Sequence, residues 1–523
     1  MKKNMLGMLG FLSLGLLFGG FTTVNAAETD FASCVKQDEC VLESDVTINS
    51  TITLENDLIL DLNGHKITAN ISNQNTAAFE TSYKLTIKDT KGNGMIDASN
   101  SYGIMAYEGG TLILDSGEIK ALNSPFSGNN TKGDMNFIVN GGTLTSIQGA
   151  AIYMPGQENL EINDGTLNGG INVRMGQITI NGGKIINNNP INTDSIDEYY
   201  DYNGNVWFSN ALTVFGGTYT SENTEYGNSL NMVINGGTFE SSNGNALTIY
   251  ALGKVKQDIN VTINGGTFNG KEMSVAVENP ESLKLEDANY TKVVNEPNVV
   301  ITSGTFNSNI ESLVQDGYKV VENNGVYNVE PNLVISTSDN NVVMESEKPL
   351  PNDYQLVVEE KDLTDTTETV ISDTQKLIID SLKEYNVNFG DTEILATYDI
   401  NVYNGAEIVK IEGTDKYKIS INLDENLLSK YAYVKVAYIN EDGKVESIYD
   451  ATVENGIVSF ETTHLSTYSI IGYNVELTSV AVENPSTNDN VLAYAIIGTI
   501  SLIGLAGAAV YLKRHNENKG AVE

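Results

Sequence analysis

The chain has 523 residues, with 68 acidic against 30 basic side chains and a formal net charge of −38. A field of that sign repels nucleic-acid phosphates and other polyanions, which excludes nucleic acid as a partner and leaves cations and neutral glycans compatible. Glycine is abundant at 48 and proline scarce at 9, unlike a disordered stalk. The acidic residues are spread along the chain rather than blocked, as on a solvated surface. His65, His464 and His515 lie far apart and only two cysteines exist, too few ligands for a metal site.

The N-terminus carries Lys2-Lys3, an apolar stretch from Met5 to Phe21 and then Val24-Asn25-Ala26. This pattern predicts a secretory signal peptide over residues 1–27, cleaved near Ala26 or Ala27. In an exported chain Cys34 and Cys40 are expected to form a disulfide, closing a short loop in a cap over Phe31 to Val46.

An octapeptide of the form apolar-x-apolar-Asn-Gly-Gly-Thr-apolar then recurs. Copies stand at 137–144, 160–167, 178–185, 212–219, 232–239 and 261–268, with looser ones at 112–119 and 299–306 and a first one at 60–67. Each reads as a short strand of period two, a bend and the start of another strand. The Asn and Gly positions suit left-handed backbone that a β-branched residue would resist. A further strand precedes several copies, as in 149–154, 170–175 and 245–250. Such units bury nothing alone, so they must stack, with Asn140, Asn163, Asn181, Asn235 and Asn264 one above another. The expectation is an all-β fold: a right-handed parallel β-helix over residues 28–330. Asn309 to Asp316, read as helical, and strands at 318–321 and 326–329 would cap its far end.

Within the repeats, Arg174 is the sole arginine before the C-terminal tail. If Ile171, Val173 and Met175 point inward, Asn172 and Arg174 point outward as solvated strand residues. His65 occupies the sixth octapeptide position and has no aspartate pair beside it in the repeat, so no catalytic constellation is assigned. The insertion from Asn187 to Phe208 is the candidate binding loop. Its Tyr199, Tyr200, Tyr202 and Trp207 offer ring faces for sugars, and its carboxylates accept sugar hydroxyls. Asp201-Tyr-Asn203-Gly204-Asn205 is an oxygen-rich turn of the kind that holds calcium, without the closing Glu of a full calcium loop.

Residues 331–478 lack the repeat and alternate as antiparallel strands, with a helix expected at 373–385 and a hairpin turn at 441–444. Residues 479–490 are a linker. Val491 to Leu512 is an uncharged run of 22 residues, about 33 Å as a helix, enough to cross a bilayer core of about 30 Å. A basic tail, 513–523, follows and predicts that everything before the span lies outside.

Three resemblances follow from these motifs. Asn484-Pro-Ser-Thr487-Asn488, then the apolar span, then the basic tail, resembles a sortase sorting signal. That implies cleavage between Thr487 and Asn488 and linkage of Thr487 to peptidoglycan, with sortase as partner; Asn484 and Asn488 stand where the commonest version has Leu and Gly. Residues 331–478, ending Phe460 to Tyr468, resemble the β-sandwich spacer modules of Gram-positive surface proteins, which makes His464 a structural strand-edge residue. The repeat region is similar to the pectate-lyase-like solenoids. Together they imply a wall-anchored, adhesin-like surface protein that binds a glycan or protein. The alternative is a polysaccharide lyase or glycoside hydrolase on the same scaffold.

Overall fold

The structure, a computed structural model, describes residues 24–26, 31–128, 134–190, 209–215, 229–253, 256–278, 293–361, 378, 381–382, 392–411, 413–441 and 444–474. The described chain is nearly all β. It divides into two compact units, 1–358 with 400–422 and 459–465, and 359–399 with 423–458 and 466–523.

In the first unit the octapeptide repeats build long parallel sheets. Each repeat supplies three strands, and each strand pairs in parallel with its equivalents in the repeats before and after. Tyr102–Ala106 lies between Ala77–Thr81 and Phe126–Gly128. Thr111–Leu114 lies between Lys84–Lys88 and Asn136–Val139, and Glu118–Ala121 between Met95–Ala98 and Thr143–Ser146. These are called the first, second and third strands below. The third strands run in one sheet from Val46–Ile48 to Gly304–Phe306, which the antiparallel pair Val326–Pro331 and Tyr318–Asn323 closes.

Period-two alternation decides the inside. Leu112 and Leu114, Phe137 and Val139, Ile178 and Ile180, and Val261 and Ile263 are all buried and join one continuous core. Residues between them, such as Ile138, Thr179 and Thr262, are half-buried on the outer face. Third strands contribute one or two inward side chains each, as Ile119 and Ala121 do, and the last of these, Phe239, Phe268 and Phe306, stack with ring centroids 4.6 and 5.1 Å apart. Burying such a side chain contributes roughly 1.5–3 kcal/mol.

The bend after each second strand explains the Asn-Gly-Gly triplet. Each asparagine donates its amide to the amide oxygen of the repeat before. Asn163 donates to Asn140 at 2.9 Å, Asn181 to Asn163 at 2.8 Å, Asn235 to Asn181 at 2.9 Å and Asn264 to Asn235 at 3.1 Å. At one end Asp115, an acceptor only, receives Asn140 at 2.8 Å; at the other, the Thr302 hydroxyl donates to Asn264 at 3.0 Å. The two glycines serve different needs. Gly236 has ordinary backbone, but a Cβ there would lie 2.6 Å from the Asn181 carbonyl oxygen. Gly237 lies in the left-handed region at φ 96°.

Several expectations need correction. The asparagines of the triplet are not left-handed; only the first copy has such a residue, Asn63 at φ 48°. The amide ladder, which only a side chain that both donates and accepts can extend, accounts for the residue type instead. The copy at 212–219 is not a second strand: Leu212–Phe215 pairs with Ile171–Val173 and Leu247–Tyr250 and is a first strand. Its Phe215 in place of Asn was the signal. A repeat without the octapeptide, Ala77–Thr81, Lys84–Lys88 and Met95–Ala98, stands between the copies at 60–67 and 112–119. Its wider bend is held by the Asp89 carboxylate, which accepts from the N–H groups of Gly64 and Gly94, each at 2.6 Å.

At the N-terminal end, the short helix Phe31–Cys34 packs into the core and Cys34 is bonded to Cys40, with Cα atoms 5.3 Å apart. At the far end, the expected helix is only a 3-10 turn, Glu311–Leu313. Beyond the repeats, Val334–Ser336, Val342–Ser346 and Tyr417–Asn422 pair antiparallel in the first unit. In the second unit, residues 393–399 pair antiparallel with Thr467–Tyr473, which pairs with Tyr433–Ile439 and that with Val445–Asp450. Between the last two falls the predicted turn at 441–444, of which 442–443 lie outside the described residues; the Asn440 N–H donates to the Lys444 carbonyl at 2.9 Å. Of the predicted helix at 373–385, only Ile378, Ser381 and Leu382 are described; Ile378 and Leu382 join a core with Ala437, Ile439, Val445 and Ile471. No helix among the described residues is long and apolar enough to cross a membrane, and 491–512 lies outside them.

Strand facing yields a direct test by thermal melting of the full chain. Ile263→Asp places an unpaired charge in the core and should cost about 4 kcal/mol or more. Thr262→Asp, on the outer face one residue away, should cost under about 1 kcal/mol. Equal losses would mean that the strand faces the other way.

Candidate functional site

The outer face of the first strands carries several buried polar side chains, among them Ser127, Asn172, Arg174, Thr213 and Thr248. Alternation sends Ile152, Ile171, Leu212 and Leu247 into the core, so Tyr153, Asn172, Thr213 and Thr248 point away from it, and the register places those four in one row. All four are nonetheless buried. Asn172 and Arg174 are therefore off the apolar core, as the alternation predicts, but they are not solvated: Asn172 is 2% exposed and Arg174 7%. Desolvating a guanidinium is costly unless it is compensated, so this arginine is held in place for more than solubility.

Glu158 lies beside it. Here the first and second strands fuse into the long strands Ile152–Ile162 and Ile171–Ile180, and the register slips between Met154 and Gln157. Pro155-Gly156 at this slip turns the chain so that Glu158 folds back on it. Its carboxylate accepts from the Gly156 N–H at 2.9 and 3.1 Å and is fully buried. Glycines line the site: a Cβ on Gly128 would lie 2.8 Å from a Glu158 carboxylate oxygen, and one on Gly176 would lie 1.9 Å from its backbone oxygen. Burial pushes the Glu158 carboxyl up to about 8, against the opposing pull of the Gly156 N–H and of positive Arg174. Glu158 is thus a neutral acid at pH 7, beside a cation.

Further along the face a second cluster forms. Asn245 donates to the Thr248 hydroxyl at 2.9 Å and to Glu278 at 3.0 Å, and the Asn210 amide oxygen accepts from the Asn245 N–H at 2.9 Å. Burial raises the Glu278 carboxyl, and burial with the nearby Glu278 charge raises the Tyr250 hydroxyl well above its usual range. The face therefore gathers acid, cation, phenol and amide groups, nearly all of them buried.

The sequence-predicted sites fare unevenly. Tyr199, Tyr200, Tyr202, Trp207, the turn at 201–205, Thr487 and Asn488 lie outside the described residues. Among the described residues no acidic, His or Cys cluster suits a metal ion. His65 is half-buried with its Nδ1 3.5 Å from Asp45, and His464 lies 3.3 Å from the Thr462 hydroxyl just past a strand. Glu158 was missed by sequence reasoning; Pro155-Gly156 interrupting a strand pattern was the available signal.

A carboxyl whose folded pKa lies above its ordinary value near 4.5 stabilises the fold fully at low pH and loses that contribution as pH rises through about 8. The full chain should therefore lose melting temperature between pH 5 and pH 8.5, and Glu158→Gln should flatten that loss by the equivalent of a few kcal/mol, roughly. Parallel pH profiles for wild type and variant would mean that Glu158 is ionised in the fold.

Comparison with known proteins finds no matching family model, no matching curated protein and no matching solved structure.

Proposed function

We propose that this chain is a cell-surface protein, anchored to the wall through Thr487, that displays a right-handed parallel β-helix for binding glycan or protein ligands. In this reading residues 28–330 form the helix with its caps. Residues 331–478 form a β-sandwich-like spacer, 479–490 the linker, and 491–512 the span left behind by sortase. The observation that carries the binding role is where the repeats are interrupted. Segments 129–133, 216–228 and 279–292 follow first strands, and 191–208 precedes one. All the long insertions thus enter at the strands whose outer face holds Arg174, Tyr250 and Glu278. Insertions on one side of a rigid stack are where binding residues concentrate. The aromatic set Tyr199, Tyr200, Tyr202 and Trp207 belongs to one of them.

A second reading, a surface polysaccharide lyase or glycoside hydrolase, is favoured by the nearness of Glu158 to the positive Arg174. A protonated carboxyl beside a cation is equipped to give a proton to a leaving oxygen and to neutralise a sugar carboxylate.

Two measurements test these readings. Mass spectrometry of muramidase-released protein should find Thr487 as the last residue, carrying a wall fragment; recovery of the chain only with its span intact, from membranes, would remove the wall linkage. For a short soluble glycan captured by the full chain, Trp207→Ala should weaken binding about thirtyfold, the loss typical of an aromatic hot spot, and Arg174→Ala should change it little. Release of sugar products that depends on Arg174 and Glu158 would instead establish the enzyme.

A further inference from the structure

The second strands present an outer face unlike the rest of the molecule. Their outward positions Asn136, Asn159, Gln177, Asn231, Asn260 and Asn298 are held in one row by the parallel register, with Ser229 and Asp258 outward two residues before Asn231 and Asn260. This row is partly a second amide ladder: Asn159 donates to Asn136 at 2.9 Å and Asn260 to Asn231 at 3.2 Å. The Asn140-to-Asn264 ladder runs parallel to it four residues further along each strand, about 13 Å away at about 3.3 Å per residue. Between them runs a middle row of half-buried, mostly β-branched side chains, including Ile138, Thr179, Val233, Thr262 and Val300.

From Asn136 to Thr302 the only charge among these three rows is Glu161. The same face carries Lys84 and Lys88 in an earlier repeat, and the outer face of the third strands carries Lys66, Asp97, Lys184 and Glu240, paired across repeats. On a chain of net charge −38, a neutral strip of this length is a local departure from the prevailing surface. Ladder amides spend one N–H and one acceptor site on their neighbours, which leaves a second pair for solvent except where a neighbour takes it, as Glu161 takes the second N–H of Asn163 at 2.9 Å. The strip thus repeats fixed donors and acceptors about every 4.8 Å beside a shallow apolar row. An anionic partner would be repelled by the surrounding field, and to a cationic one the strip offers only the single charge of Glu161.

We propose that this strip docks an uncharged, hydroxyl-rich polysaccharide chain in extended form. The inference deepens the glycan-binding reading above and rests on it, but it assigns a surface separate from the aromatic insertion. Hydroxyls both donate and accept, as the outward amide groups do, and the sugar's C–H faces lie on the β-branched row.

The test is retention of the purified full chain on insoluble cellulose and chitin, with immobilised polygalacturonate as the anionic comparison. Retention is expected on at least one neutral polymer and not on polygalacturonate. It should be unchanged between about 0.05 and 0.5 M salt, over which the screening length falls severalfold. Val233→Lys and Thr262→Arg, both at outward positions, should each weaken retention at least tenfold while melting within a few degrees of wild type. Two variants are used so that poor folding of one leaves the other decisive. Lys120→Ala, on the outer face of a third strand, should be retained like wild type. No retention on either neutral polymer, or undiminished retention of both charged variants, overturns the inference. Loss in Trp207→Ala alone overturns it while leaving glycan binding by the insertion intact. A dimer dispersed by Val233→Lys would assign the strip to a second copy of the chain and overturn it equally.

Discussion

Close approach of one repeat to the next at the Asn-Gly-Gly bend is the constraint on which the rest of this structure depends. Three short strands cannot bury a core alone, so stability comes from stacking, and where glycine holds the fifth octapeptide position (Gly141, Gly182, Gly236, Gly265) stacking at strand spacing leaves no room for a Cβ, whereas Ser116, Asp164 and Ser303 fill that position in other copies. Gly236 illustrates the limit, its missing Cβ standing 2.6 Å from the carbonyl oxygen of Asn181. Once the backbones meet so closely, the asparagine side chains are aligned to bond to each other, and every ladder bond runs with the same polarity. Each exposed amide bond contributes modestly, about 0.5–1 kcal/mol, but together they fix the register on which every inward side chain depends.

A fixed register gives each face of the stack a uniform character along its length, so chemistry is written in rows. The second strands become a neutral amide surface, the third strands a surface of paired charges. The first strands carry buried polar groups where the repeats are interrupted. At Glu158 the regularity breaks: two strands fuse, the register slips, and a carboxyl is enclosed among glycines next to the only described arginine. A departure of this kind from an otherwise strict pattern marks where function is to be sought.

The stacking repeats were legible because alternation and the octapeptide both report local backbone demands. The asparagine row could be placed from spacing alone, and the inward set at 112–114, 137–139, 178–180 and 261–263 follows from period two. What escaped was non-local. Leu212 to Tyr219 has the form of the octapeptide, yet its described part, Leu212–Phe215, lies in a different strand stack, because apolar alternation does not say which stack a strand joins. The repeat at 77–98 lacks the triplet, its bend held instead by Asp89 reaching two separate N–H groups. The burial of Asn172 and Arg174 likewise depends on neighbours that strand alternation cannot reveal. The charge at Glu158 required knowing that Gly128, Gly156 and Gly176 converge on it.

The central claim, that the bend is set by backbone contact between repeats, is tested most directly by Gly236→Ala, compared with Gly325→Ala, where no atom lies within 4 Å of the new Cβ. Gly325 is itself left-handed at φ 77°, so its alanine variant carries the backbone strain without the collision. If the contact governs, Gly236→Ala should lower the melting temperature of the full chain clearly more than Gly325→Ala, despite the ordinary backbone at 236. A Gly236→Ala variant that melts like wild type would contradict the account.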